Sequence, residues 1–341
     1  MAINIFDSVV LTGAITLREP RWSLFADLFR RQSPSSKEVF ELHTRVRGHN
    51  ILPVVSNYSA GVMVQPEGWE IGQVRAPRFR TKRACRAADI FFHRQFGGTP
   101  FDMTSGELDR AMADDLDAHR EDHDRMLEIM CAQAAVQGKV TLANVDAGNV
   151  VPKVVVDFQR PASHVVNVAN ADKWSTAGTD LFGQIEAANM LMQEDCDGMS
   201  ATDLIMGAKA FAAFRKHNDV RDNIDQQLRL TPANLNTTIG SLNRGWWNGL
   251  NLWVYSGTYT DYDGTTKHFI DPNAALLVTR SAQSVIEYGR PVDLDCSGPA
   301  QYFVKTYKEE DPSGMFSVAE SRPLPVCRHA GWTVLFNNVS A

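Results

Sequence analysis

From Thr104 to about Gln137, apolar residues return at helical spacing, with Leu108, Met112, Leu116, Met126, Leu127, Met130 and Ala134 on one stripe. Thr104 and Glu107 form a capping-box pattern and Gly138 supplies the stop, so the segment predicts a single helix roughly 50 Å long. A shorter helical period runs from Arg21 to Arg31, where Trp22, Phe25 and Phe29 share a face with Leu24 and Leu28 beside them. Pro20 precedes it, and Ser33, Pro34, Ser35 and Ser36 end it. Two readings stay open for this helix: it packs on a neighbouring molecule, or it belongs to the chain's own core. Further on, Leu181–Glu194 predicts a helix with Leu181, Ile185, Ala188 and Met192 inward and Thr179 or Asp180 as its cap. The short apolar run Asp203–Met206 reads as a buried strand entering the helix Ala208–His217.

The remaining pattern is strand-like. Val54-Val55 and Val62–Val64 are interrupted by Gly61, Pro66, Gly68, Gly72 and Pro77, and Val150–Phe158 is a further strand. Leu250–Thr260 and Thr265–Ile270 flank Asp263-Gly264, a hairpin signal. Ala275–Thr279, Met315–Ser321 and Trp332–Val339 make the C-terminal part rich in strands. Helices and strands do not alternate strictly, so the expected class is α+β.

Charge divides the first half of the chain sharply. Ile71–Arg94 holds Arg75, Arg78, Arg80, Lys82, Arg83, Arg86 and Arg94 against the single acid Asp89, a local +6. The long helix that follows carries nine acids, among them Asp114, Asp117, Glu121 and Asp124, against three arginines, a local −6. The two segments could fold together within one subunit, or remain separately solvated. A cationic, core-poor loop could instead lie on the acidic helix of a neighbouring copy, with Arg75, Arg78, Arg80, Lys82, Arg83 and Arg86 meeting Asp114, Asp117, Glu121 and Asp124. That third arrangement is the expectation adopted, with Trp22, Phe25 and Phe29 as arm contacts to a neighbour.

The 341-residue chain is 44% hydrophobic and 22% charged, an ordinary globular composition, with a net charge of −6 that opposes a general attraction to nucleic acid. No apolar run approaches the ~20 residues that cross a bilayer, and Met1-Ala2-Ile3-Asn4 lacks the basic start of a signal, so a cytoplasmic site of synthesis is expected. Cys85, Cys131, Cys196, Cys296 and Cys327 are far apart with no CxxC pair, which points to reduced thiols.

Signatures of catalysis are sparse. Gly138-Lys139 lacks the rest of a phosphate-binding loop, and Gly198-Met199-Ser200 lacks the second glycine of a nucleophile elbow. His119 and His123 stand at the i, i+4 spacing of zinc ligands, but Glu121 is one place later than the general base of that motif and no third ligand stands out. Two histidines exposed on an acidic helix account for them as well. No cofactor, metal or catalytic residue is therefore assigned, and the chain is read as a non-enzyme.

Several stretches resemble the lambda-type family of major capsid proteins of tailed bacteriophages. Leu24-Phe-Ala-Asp-Leu-Phe-Arg30 with Ser36-Lys-Glu-Val-Phe40 looks like that family's arm, and Val74-Arg-Ala-Pro-Arg-Phe-Arg-Thr-Lys-Arg83 like the end of its extended loop. Ile205-Met-Gly-Ala-Lys-Ala-Phe-Ala-Ala-Phe-Arg215 resembles a strand-to-helix junction, and Tyr255–Tyr259, His268–Asn273 and Tyr288-Gly289 the hairpin and strand after it. The resemblance implies a tailed-phage coat fold: an N-terminal arm (1–50), an extended loop (51–100), a spine helix with peripheral strands (101–164), an axial domain (165–300) and return strands of the peripheral domain (301–341). It also implies pentamers and hexamers of this one chain in an icosahedral virion shell around double-stranded DNA. A scaffold protein, a portal and in some cases a decoration protein would assist, no membrane would be involved, and assembly would take place in the host cytoplasm. A cellular nanocompartment shell of the same fold, or a metal-dependent enzyme using His119 and His123, are the alternatives.

Overall fold

The computed structural model describes residues 8–17, 23–46, 68–86, 105–146, 149–176, 178–221, 242–261, 263–296, 298–310 and 314–340. Five α-helices are described: α1 (Ser8–Leu17), α2 (Leu24–Asp27), α3 (Ser105–Gln137), α4 (Leu181–Asp195) and α5 (Ala208–Lys216). The class is α+β. The 33 residues of α3 form the long helix expected from the stripe, and Gly138 leaves it at φ +69, a backbone conformation that glycine adopts without strain.

A six-stranded sheet runs in the order Val165–Asn167, Thr333–Asn337, Ala275–Val278, Asp203–Met206, Leu250–Val254, Asn243–Trp247. Its central strands are apolar without a break because both faces are covered. Leu204, Met206, Leu252, Leu277, Val334 and Phe336 point into a core closed by α4 and α5. The alternate residues Ile205, Leu276, Val278 and Leu335 enter a second core with Met130 and Ala134 of α3. Asp180 caps α4 by accepting from the Gly183 N–H at 2.8 Å, and the four inward residues expected from the sequence are the buried ones. Between strand and α5, a side chain at Gly207 would meet the Asp271 carbonyl at 2.3 Å and Pro272 Cα at 2.6 Å, so glycine is required there.

A second sheet, Phe303–Glu309, Gly314–Ser321 and Phe79–Arg86, lies on the middle of α3. α1, which the sequence pattern did not single out, packs on this sheet and on α3 through Leu11 and Ile15, against Leu116, Tyr302 and Val304. Val39–Val46 and Gly68–Arg75 form an antiparallel pair, as do Lys139–Asp146 and Asn149–Asp157. The strand candidates at 54–55 and 62–64, Thr104 with its capping role, and Trp22 lie outside the described residues.

The arm differs most from expectation. In place of a helix over 21–31, one turn (α2) ends at Asp27, and Arg30-Arg31 pairs in parallel with Val285-Ile286. Phe25 and Phe29 are buried in the subunit's own core, Phe25 edge-on to Tyr255 at 5.6 Å and Phe29 edge-on to Trp332 at 5.3 Å. They are therefore core residues of this chain, and the second of the two readings holds for them. Leu24 and Leu28 are buried as well, so one turn of helix suffices to bury four large side chains on several sides, without a regular stripe. The segment 79–86, expected within the loop, is a paired strand of the second sheet, while Thr333–Asn337, expected among the peripheral return strands, sits inside the six-stranded sheet.

Candidate assembly surfaces around the spine helix

The apolar stripe of α3 is interrupted for nine positions between Leu116 and Met126. At the stripe's places stand His119, Arg120, His123 and Asp124, all buried. Arg120 Nε donates to Asp124 at 2.9 Å and its Nη1 to the Ile15 carbonyl of α1 at 3.1 Å. Its guanidinium lies 4.2 Å over the Tyr302 ring, whose hydroxyl donates to Asp124 at 2.9 Å. This node ties α1, α3 and the second sheet together. Asp124 is thus an interior ion-pair partner and not a contact offered to a neighbour, correcting the expectation that grouped it with the surface acids.

The histidines, which could have been exposed, sit where the second sheet meets α3. The Thr81 hydroxyl lies 2.7 Å from His119 Nδ1, His119 Nε2 lies 3.0 Å from Ser317 Oγ, and that hydroxyl donates to Asp115 at 3.3 Å. One consistent assignment has Thr81 donating to Nδ1 and a neutral ring donating through Nε2. Burial, aided by the Arg83 cation, holds His119 down at about 4; burial also lowers His123 and raises Asp115. Among the described residues no group of three or more His, Cys, Asp and Glu could hold a metal. Both rings are packed between helix and sheet.

Glu128 joins α3 to the arm. Its two carboxylate oxygens accept from the Phe25 and Ala26 N–H groups at 2.9 and 2.8 Å, satisfying donors that a one-turn helix leaves open. Burial raises its carboxyl above the ordinary value, and the two N–H bonds oppose that shift. Glu128→Ala leaves both buried donors unpaired and is expected to cost about 2–5 kcal/mol. Hydrogen exchange at the Phe25 and Ala26 amides should rise by orders of magnitude more than exchange in α4; equal protection in the variant would refute this role.

The basic segment is largely engaged within the subunit. Arg78 donates to buried Glu320 at 2.6 Å and to the Val292 carbonyl at 3.1 Å, and Arg80 reaches Glu320 and Asp293, each at 3.4 Å. Glu320 also raises the Arg78 guanidinium. Arg83 pairs with Asp122 of α3 at 2.7 Å, Arg75 pairs with Glu38, and the Lys82 ammonium lies 4.0 Å over the Phe316 ring. Basic strand and acidic helix thus meet inside one chain, one of the arrangements the charge pattern left open. Reversing Arg78 and Arg80 would strike the subunit's own core before any shell contact. At the surface remain Arg86, Asp114, Asp117 and Glu121, with Arg75 still 69% exposed despite its partner. The buried polar stretch of α3 carries a sequence signal after all: the gap in its own stripe. The five cysteines are free thiols, and no described helix is long and apolar enough to cross a membrane.

This architecture recurs in solved structures. A prophage protein of E. coli CFT073, assigned as its capsid protein, superposes with a TM-score of 0.70 at 18% identity, over 97% of this chain and 98% of that one. The mature capsid of bacteriophage PhiM1 gives 0.54 at 9% identity, over 94% and 88%. A phage-related protein of Bordetella bronchiseptica RB50 gives 0.52 at 13% identity, over 97% of each chain. No curated protein matches the chain. The fold is that of phage shell proteins. The model of the phage major capsid protein E family matches residues 7–336, and the chain belongs to that family. It is a phage major capsid protein, a structural component of the virion that assembles into a multimeric shell.

Proposed function

We propose that the chain builds an icosahedral head from pentamers and hexamers around packaged double-stranded DNA, in the host cytoplasm, and performs no catalysis. One observation supports this most: the polar interior of α3 is consumed in holding the subunit together, while Asp114, Asp117, Glu121 and Arg86 stay at the surface. Exposed pairs are individually weak, about 0–1 kcal/mol each, which suits a shell that must correct its own errors during growth. The peripheral unit is α3 with the strands Phe303–Glu309, Gly314–Ser321 and Phe79–Arg86, and the axial unit is the six-stranded sheet with α4 and α5. A scaffold, a portal and, in some shells of this class, a decoration protein are the accessory partners in this reading. The subunit's net acidity would keep duplex DNA from adhering to the wall.

The test is electron microscopy of the purified, concentrated protein, made with and without any neighbouring scaffold gene. Closed shells, tubes or ring-shaped capsomers support the reading; a stable monomer in both preparations opposes it. Arg86→Glu or Asp114→Lys alone is expected to slow assembly, followed by light scattering, with little change in subunit stability. Combining the two should recover part of the rate. Normal assembly of both single variants would remove these residues from the contact.

A further inference from the structure

A cavity of about 460 Å³ opens beside α5, between residues 174–176, Gly178 and Ser340. Its described lining contains no carboxylate. The polar groups that matter are Lys209, Lys216, His217, Ser175 and Thr176, set around the indole of Trp174. Lys209 and Lys216 are seven residues apart and share one face of α5 across Ala212 and Ala213. Among the described residues, neither lysine is in an ion pair. Lys216 in the last turn complements the helix dipole, but Lys209 in the first turn opposes it, so the dipole gives no reason for a cation there.

His217 adds an independent sign. The side chain is buried, 7% exposed, and its Nδ1 accepts from the Asp219 N–H at 3.3 Å, with the Asp219 carboxylate 3.6 Å from the same nitrogen. The proton of the neutral ring is then on Nε2. That Nε2 is buried without a hydrogen-bond partner. A buried donor is normally satisfied, and two unpaired ammonium groups at the same cavity mark the kind of group that would satisfy it.

We propose that this cavity is an oxyanion site that receives a carboxylate side chain from a second copy of the chain, an inference resting on shell formation as proposed above. The subunit supplies acids in excess, 40 against 34 basic residues. The cavity admits a side chain, which a rigid duplex backbone cannot insert, and its lining brings two ammonium groups and His217 together without a carboxylate.

Glutarate serves as the soluble carboxylate probe, with inorganic phosphate and a short DNA duplex as separate arms. Each is titrated into unassembled protein carrying nitrogen-15-labelled histidine. Glutarate is expected to shift the His217 ring signals, with affinity falling about tenfold or more in Lys209→Ala/Lys216→Ala. Lys209→Glu/Lys216→Glu should slow assembly about tenfold at unchanged melting temperature, since both lysines are exposed. No shift with glutarate, or a shift with phosphate or DNA alone, overturns the carboxylate assignment. Glutarate binding with undiminished assembly of the charge-reversed variant overturns the second copy as occupant, while visible shells would leave the proposed function standing.

Discussion

Replacing Arg120 with alanine is expected to remove about 3–5 kcal/mol of the subunit's unfolding free energy. The substitution leaves Asp124, only 5% exposed, without the cation that faces it at 2.9 Å. It also frees the Ile15 carbonyl at the end of α1 and strips the charged face from the Tyr302 ring. The hydroxyl of Tyr302 remains as the sole described donor to the stranded carboxylate, too little to offset desolvation of a full charge. Burial already raises the Tyr302 phenol, so it will not give up its proton to adapt. Urea unfolding should show the loss as a lower midpoint at an unchanged slope. Asp124→Asn in the same chain removes the uncompensated charge and should recover part of the loss, which a general packing defect at position 120 would not allow. A single variant within about 1 kcal/mol of the parent would show that the node contributes little. With domain stabilities of about 5–15 kcal/mol, a loss of the expected size decides whether subunits survive long enough to assemble.

The same node explains how far the sequence could be read. Helices with uninterrupted apolar stripes, such as α4, were legible to within a residue, because burial alone selects their inward side chains. α3 was legible in length but not in its middle. There a buried His-Arg-His-Asp run replaces apolar residues, and its charges look like surface charges until their partners on α1 and the second sheet are known. The arm misled for the opposite reason: Phe25 and Phe29 fit a helical face, yet Glu128 and the strand pairing with Val285-Ile286 stop the helix after one turn. Both are contacts across more than a hundred residues, which local periodicity cannot encode. The hairpin at Asp263-Gly264 was legible because its turn chemistry is local, with Thr260 facing Thr266 across it. Of the candidate contact residues, those on the exposed side of α3 kept their place at the surface. Of those on the strand 79–86, Arg80 and Arg83 proved to pair within the subunit, while Arg86 stayed exposed.

Acid is expected to weaken the seam between α3 and the strand 79–86 before it protonates most surface carboxylates. His119 is held at about 4 in the folded subunit against an ordinary value of 6.5, so between those limits the unfolded chain binds the extra proton. Stability from this group is therefore complete above pH 6.5 and declines as pH falls toward 4. The slope approaches about 1.4 kcal/mol per pH unit, on the order of 3 kcal/mol across the window. His123, also lowered by burial, adds to the slope in the same direction. Asp115 and Glu128, raised by burial, work against it, since their folded forms take up protons first. The net slope is the balance of these groups, and replacing His119 isolates its share. Urea unfolding at pH 7, 6 and 5 measures it, and His119→Gln, which keeps a polar side chain without titrating there, should flatten the curve. A variant with the parent's slope would assign the acid sensitivity to other groups. A charged His119 ring can no longer accept from Thr81 and would lie beside the Arg83 cation, so the strand that carries both residues is where the subunit should open first. Hydrogen exchange along Phe79–Arg86 at pH 5 should then rise ahead of exchange in the six-stranded sheet.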